Sequence, residues 1–171
     1  MHLGALEDLP REQLRSYLEF LLHNYRVMDA FWFINIEQKY GMEEACRFNE
    51  QVWGQVGRLA ARDLKQRFGI TRGGLEGFAQ ALRLFPWAIM VGYQYVPGEN
   101  ELLIQVPSCA SQEGRLKRGL GEYPCQGMHR AEFEAFAREI DPRIRVECLF
   151  APPDPHPPDM HCRWRFRLAE E

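Results

Sequence analysis

Apolar residues recur at steps of three and four from Glu12 to Tyr40, at Leu14, Tyr17, Leu18, Leu21, Leu22, Tyr25, Met28, Phe31, Trp32 and Ile36. That period predicts one long helix with a wide core-facing stripe, with Pro10 at its first turn and Gly41 as its stop. A second helix is predicted from Met42 to Phe68, with its stripe at Ala45, Phe48, Val52, Val56, Leu59, Leu64 and Phe68. Gly69 ends it. The connection at Gly41 is short enough to require antiparallel neighbours. Leu75 to Phe85 reads as a third helix, stopped by Pro86.

Beyond Pro86 the period changes to alternation. Trp87 to Val96 and Glu101 to Val106 read as two strands joined by the turn Pro97–Gly98–Glu99–Asn100, a β-hairpin. Ser111 to Leu120 predicts a short helix with Ser111 as N-cap, and His129 to Ile140 another, stopped at Asp141–Pro142. The strictest pattern comes last. Arg143 to Phe150 and His161 to Leu168 alternate without a break, around a segment from Ala151 to Met160 that holds five prolines. Placing both apolar sides inward sets Cys148 opposite Cys162, Val146 opposite Trp164 and Ile144 opposite Phe166; a slide by two residues keeps the same faces. The expected fold class is α+β in a single domain spanning residues 1–171. Its N-terminal helical half (1–85) packs on one face of a mainly antiparallel sheet of about four strands, with short helices, in 86–171.

Composition narrows the classes. With 46% hydrophobic and 26% charged residues, the chain has material for a core and lacks the signature of disorder. A net charge of −3 supplies no basic field for nucleic acid. No apolar run reaches membrane-span length, and Met1 to Pro10 has no signal-peptide core. Five cysteines at irregular spacing point to a reducing, cytoplasmic setting rather than a disulfide scaffold.

Walker, GxGxxG, HExxH and GxSxG motifs are missing, so candidate chemistry rests on scattered residues. Cys109 and Cys125 each fall just before a predicted helix, where the helix dipole favours thiolate. The expected register brings Cys148 and Cys162 to the buried face, either as packing or as ligands of a pocket or soft metal. Cys46 reads as packing. Neither Cys109 nor Cys125 belongs to a CxxC pair, so a zinc site would have to be assembled by the fold. His129, His156 and His161 are the available imidazoles. His156 reads as loop surface among prolines, and His161 faces away from Cys162. Arg143, Arg145, Arg163, Arg165 and Arg167 share the polar side of the last two strands. They read as a solvent face paired with acids, or else as a contact for an acidic partner. His23 and Asp29 stand out as polar groups near the first apolar stripe.

The C-terminal half carries a resemblance. Ser108-Cys109-Ala110-Ser111-Gln112-Glu113-Gly114-Arg115 and Gly119-Leu120-Gly121-Glu122-Tyr123-Pro124-Cys125 resemble segments of an uncharacterised family of bacterial and archaeal cytosolic proteins. So do Asp141-Pro142-Arg143-Ile144, Pro152-Pro153-Asp154-Pro155-His156-Pro157 and Cys162-Arg163-Trp164-Arg165-Phe166, with Phe31-Trp32-Phe33 near the N-terminus. That family is grouped with the L-2-amino-thiazoline-4-carboxylic acid hydrolase-like proteins. A more distant similarity is to the 4-vinyl-reductase-type small-molecule-binding domain. The resemblance implies hydrolysis of cyclic C–N/C–S bonds, with Cys109, Cys125 and Cys162 at the matching positions. Cys109–Ala110 stands where the family has Cys-Pro.

Together these readings give an expected cysteine-lined pocket for a small molecule. Cys109 is the candidate nucleophile and His129 the base. Cys125, Cys148, Cys162 and Trp164 are ligand-binding candidates, and Cys109, Cys125 and Cys162 are candidate ligands of zinc or another soft metal. The alternatives are a non-catalytic ligand or metal sensor, or a homodimer-forming protein. Nucleic acid and membrane are not expected as partners.

Overall fold

The computed structural model describes residues 2–169; Met1 and residues 170–171 lie outside them. Among the described residues the chain forms seven helices and one four-stranded antiparallel sheet. A single turn, α1 (Gly4–Glu7), precedes the long pair α2 (Arg11–Tyr40) and α3 (Met42–Phe68). Pro10 caps α2, and Gly41 at φ 89° makes the reversal that only glycine adopts cheaply. These boundaries match those read from the capping residues. α4 (Gly74–Leu82) follows.

Pro86 starts an element instead of only stopping one. It sits at the first turn of α5 (Pro86–Val91), and Gly92, in the left-handed region, ends that helix. The strand expected over Trp87 to Val96 is therefore reduced to β1 (Gln94–Pro97). A short apolar run bounded by proline and glycine fits either period, and here the proline decided it. β2 (Glu101–Val106) pairs with β1 as expected. α6 (Ala110–Leu116) begins one residue before Ser111, with Cys109 in the N-cap position and no side-chain cap. α7 (Gln126–Ile140), β3 (Ile144–Phe150) and β4 (Cys162–Leu168) complete the chain.

The sheet order is β1-β2-β4-β3. β4 is central, and Trp164 and Phe166 are fully buried, so the two faces are assigned as the alternation required. The register slides by two: Val146 faces Phe166, Cys148 faces Trp164, and Cys162 faces Val106 of β2. The slide leaves one pair of like charges opposed instead of two. The expected register opposed Arg145 with Arg165 and Arg143 with Arg167, whereas the observed one opposes Glu147 with Arg165 and Arg145 with Arg167. Glu101 adds contacts of 3.2 Å to Arg165 and 2.9 Å to Arg167, and Asp141 holds Arg143 at 2.8 Å. Three of the five arginines are thus paired with acids of the same chain, while Arg145 donates to the Pro142 carbonyl at 2.8 Å and Arg163 lies over the Phe150 ring.

The largest departure concerns which helix faces look inward. The core is built where α7 lies between α3 and the sheet. α3 presents Ala45, Trp53, Gly57 and Ala61 to the interior, while Phe48, Val52, Leu59 and Phe68 of the expected stripe are exposed. Small residues face inward because the α7 backbone comes close; a Cβ on Gly57 would lie 2.7 Å from the Glu132 carbonyl oxygen. α2 reaches the core only through its C-terminal half. Tyr25 packs edge-on to Trp53 and Phe33 against Tyr123, while Glu37 forks onto Arg115 at 2.6 and 2.9 Å. From Arg11 to Leu21 every residue of α2 is exposed.

Candidate functional site

Two polar constellations stand out from this frame. The first is interior. α2, α3, α5 and α7 meet the ends of β2 and β4 around a cavity of about 30 Å3, lined in part by Asp29, His129, Glu132, Cys109, Cys125 and Cys162. The fold therefore gathers three cysteines that are far apart in sequence, along with the histidine singled out beside them. Cys148 and Trp164 stand outside that lining. Cys148 is half-buried, with the Gln126 amide 3.4 Å from its sulfur, and the Trp164 ring packs on Phe133. The space holds one or two waters, against the few hundred Å3 of an ordinary small-molecule site. A cysteine-lined substrate pocket is therefore not what the fold builds.

The thiols also differ electrostatically from expectation. Burial pushes the Cys109 thiol up, outweighing the backbone N–H groups of Gln112 and Ser111 that favour its thiolate. Burial likewise takes Cys125 to about 12, and Cys162 is raised as well. The helix-end argument for reactive thiolates is overturned by desolvation, and these sulfurs are neutral at physiological pH. Their surroundings are otherwise well ordered. Gln112, almost fully buried, accepts from the Tyr123 N–H at 3.1 Å and donates to the Tyr123 carbonyl at 2.9 Å, with the Cys125 sulfur 3.3 Å from its amide.

Glu132 is the residue the alternation and capping signals did not reveal. It is 1% exposed on the apolar side of α7 and accepts from His129 Nδ1 at 3.0 Å. Its Oε1 has no hydrogen-bond partner among the described residues. The available signal was an acid set between Met128 and Phe136, in step with their apolar spacing. Nearby, Asp29 accepts from the Trp53 indole N–H at 3.2 Å. Burial, with Glu132 adding to it, lifts the Asp29 carboxyl to about 6 against the effect of that hydrogen bond. The native state then keeps a proton that the unfolded chain releases near pH 4, so stability falls as pH rises from about 4 to about 6 and is level above. Asp29→Asn retains an acceptor for Trp53. It is expected to flatten that decline and to add about 2 kcal/mol at pH 7, read from urea titrations at pH 4.5 and 7.

The second constellation lies at the surface, over loops. Glu122, His156 and His161 bring one ligand atom each to within 4.8 Å of one another, and among the described residues they are the group of three with metal-ligand spacing. The three cysteines share a cavity without reaching that spacing. His156 Nε2 is 3.2 Å from Glu122 Oε1, and His161 Nδ1 is 3.7 Å from the same oxygen. His156, read from sequence as loop surface, has a side chain only 16% exposed. The Pro157 carbonyl and then Glu122 raise its pKa above the ordinary histidine value, against a smaller opposing effect of burial.

The chain belongs to DUF6125, a family of unknown function whose model matches residues 7–168. Among curated proteins none matches the sequence. A similar solved structure is a trafficking protein particle complex subunit 3 from Naegleria fowleri, covalently bound to palmitic acid. It is 12% identical with a TM-score of 0.57, over 89% of this chain and 97% of that one. These findings overturn the resemblance to the thiazoline hydrolase-like proteins. The hydrolase reading goes with it, and the sensor reading on the same cysteine-lined pocket is not supported either. Among the described residues no helix is long and apolar enough to cross a membrane.

Proposed function

We propose that this protein is an assembly subunit whose docking element is α2, and that a second copy of the chain is its partner. The observation that carries the reading is the N-terminal half of α2. Arg11 to Leu21 is exposed throughout, yet it carries Leu14, Tyr17, Leu18, Phe20 and Leu21. Met28, Phe31 and Trp32 continue the apolar surface, and Met28 and Trp32 are each 66% exposed. Three turns of helix without tertiary support are marginal in water, and a patch of this length exceeds what monomers ordinarily leave open.

A second copy fits for two reasons. Laid antiparallel about Asn24 and Tyr25, α2 sets Leu21 against Met28, Leu18 against Phe31 and Tyr17 against Trp32 of the copy, as a twofold contact requires. Arg11 and Arg15 balance Glu12 and Glu19 on the projecting half, so self-pairing meets no net repulsion. An open groove of about 590 Å3, lined by His23, Arg26, Phe31 and Arg118 among others, runs beside the same helix. The similar fold of a trafficking-complex subunit supports an assembly role. That protein's palmitic acid is not carried over, because the cavity here has room for water and not for an acyl chain. Five free cysteines suit a reducing, cytoplasmic setting.

Sedimentation equilibrium is expected to show a dimer at micromolar concentration. Leu21→Glu combined with Met28→Glu should weaken it by at least about 100-fold, since two central apolar anchors are replaced by buried charge. A parent that stays monomeric at tens of micromolar would sink the proposal. So would a double variant that assembles as the parent does.

A further inference from the structure

The geometry points to a divalent-cation site of the zinc type formed by Glu122, His156 and His161, which clips the proline-rich loop onto the loop between α6 and α7. His156 Nδ1 lies 3.1 Å from the Pro157 carbonyl, which can only accept, so Nδ1 carries a proton. In the neutral ring Nε2 is then a bare lone pair, and it points at the Glu122 carboxylate, 3.2 and 3.4 Å from its two oxygens. Two acceptors do not hold each other at that distance, so either a proton or a cation lies between them. His161 Nδ1 is buried, has no hydrogen-bond partner among the described residues, and faces the same Oε1 at 3.7 Å. One proton satisfies one pair of acceptors. A metal ion satisfies all three.

The spacing is close to what an ion needs. Bonds of ~2.0–2.1 Å in a tetrahedron put neighbouring ligand atoms about 3.3 Å apart. The two contacts to Glu122 Oε1 are 3.2 and 3.7 Å, and all three ligand atoms lie within 4.8 Å of one another. Two histidines and a glutamate form an established zinc donor set that leaves a fourth position for water. The Pro157 carbonyl plays the outer-shell part, setting the tautomer that turns Nε2 toward the ion.

The ligands are also held in place before any ion arrives. Glu122 sits between two anchored residues. The nearly buried Arg115 donates to the Gly121 carbonyl at 3.1 Å, and Gln112 grips both backbone groups of Tyr123. The His161 N–H donates to the Val106 carbonyl at 2.9 Å, fixing that histidine to the end of β2. Such preparation is more than a chance meeting of surface side chains requires, and it spends a buried arginine and a buried glutamine on one loop.

The test uses the full chain purified without a tag, with Zn2+ itself as the probe. Calorimetry and elemental analysis are expected to give one zinc per chain and a higher melting temperature with zinc than after chelation. His156→Gln and His161→Gln should each weaken binding by about 100-fold, and Glu122→Gln by at least about 10-fold. His23→Gln, an exposed histidine elsewhere, should bind as the parent does. Circular dichroism checks that each variant remains folded, and His156, in the loop, gives a variant whose folding does not depend on core packing. Failure to bind zinc stoichiometrically overturns the site, as does binding that survives the His156 and His161 changes. Loss of zinc in Cys109→Ser with retention in His156→Gln would move the ion to the thiols and overturn it equally. Neither result bears on the α2 contact, which sedimentation reads separately.

Discussion

Trp164→Ala is expected to destabilise the protein by about 3–5 kcal/mol, a large share of the ~5–15 kcal/mol that holds a domain together. Trp164 is fully buried on the central strand β4. Its ring meets Phe133 edge-on at 5.3 Å and His129 at 6.3 Å between centroids, and Cys148 lies opposite it on β3. Removing it leaves a void bounded by a strand with neighbours on both sides and by the underside of α7, neither of which can collapse freely. The substitution should also loosen His129, whose imidazole lies between the Trp164 and Phe133 rings and the Glu132 carboxylate. Trp164→Phe keeps an aromatic ring in the space and should cost clearly less. Denaturant titrations of the two variants check the order. A Trp164→Ala protein as stable as the parent would mean that this face of the sheet is not the core.

The elements were legible where they depend on local chemistry, and their partners were not. Pro10, Gly41 and Gly69 mark the ends of α2 and α3 because capping is settled within a turn. The orientation of those helices was not readable, because an apolar stripe says that a face wants cover and not what covers it. α3 turns glycines and alanines inward to admit α7, and α2 leaves much of its stripe exposed. In the same way, strict alternation on β3 and β4 determined which face is buried, while a slide by two preserves that alternation and so could not be read from it.

The site residues divide along similar lines. Cys109, Cys125 and Cys162 gather at one cavity, as their positions at element ends suggested, but burial reverses the thiolate character expected of helix N-termini. Glu122 and His156 carried no signal of their own. One lies in a glycine-rich loop and the other among prolines, and only the docking of those loops makes them neighbours of His161. Glu132 was legible in principle, as a carboxylate in step with the apolar side of α7. A charge placed where periodicity demands a hydrocarbon is a better pointer to an unusual environment than a cysteine, which is commonly buried for packing alone.

Gly57→Leu is expected to cost at least about 3 kcal/mol, beyond the usual range for a side chain too large by a methylene or two, because the obstacle is backbone. Even a Cβ at this position would sit 2.7 Å from the Glu132 carbonyl oxygen and 3.4 Å from the carbon that bears it. α3 and α7 would have to part, and α7 carries Phe133 and Phe136 into the sheet as well as His129 and Glu132 into the cavity. Gly57→Ala separates the two opposing contributions. Alanine in a helix interior gains up to ~1 kcal/mol over glycine, so a site with space would become more stable. Here the clash should outweigh that gain and leave the variant about 1–2 kcal/mol less stable, a melting-temperature drop of roughly 2–8 °C for a chain of this size. Gly54 provides the comparison on the same helix, since a Cβ there would meet Ala131 Cβ at 3.6 Å, an ordinary contact. Gly54→Ala should therefore be neutral or stabilising. If thermal unfolding showed Gly57→Ala to be as stable as Gly54→Ala, the close crossing of α3 and α7 that organises the interior would be wrong.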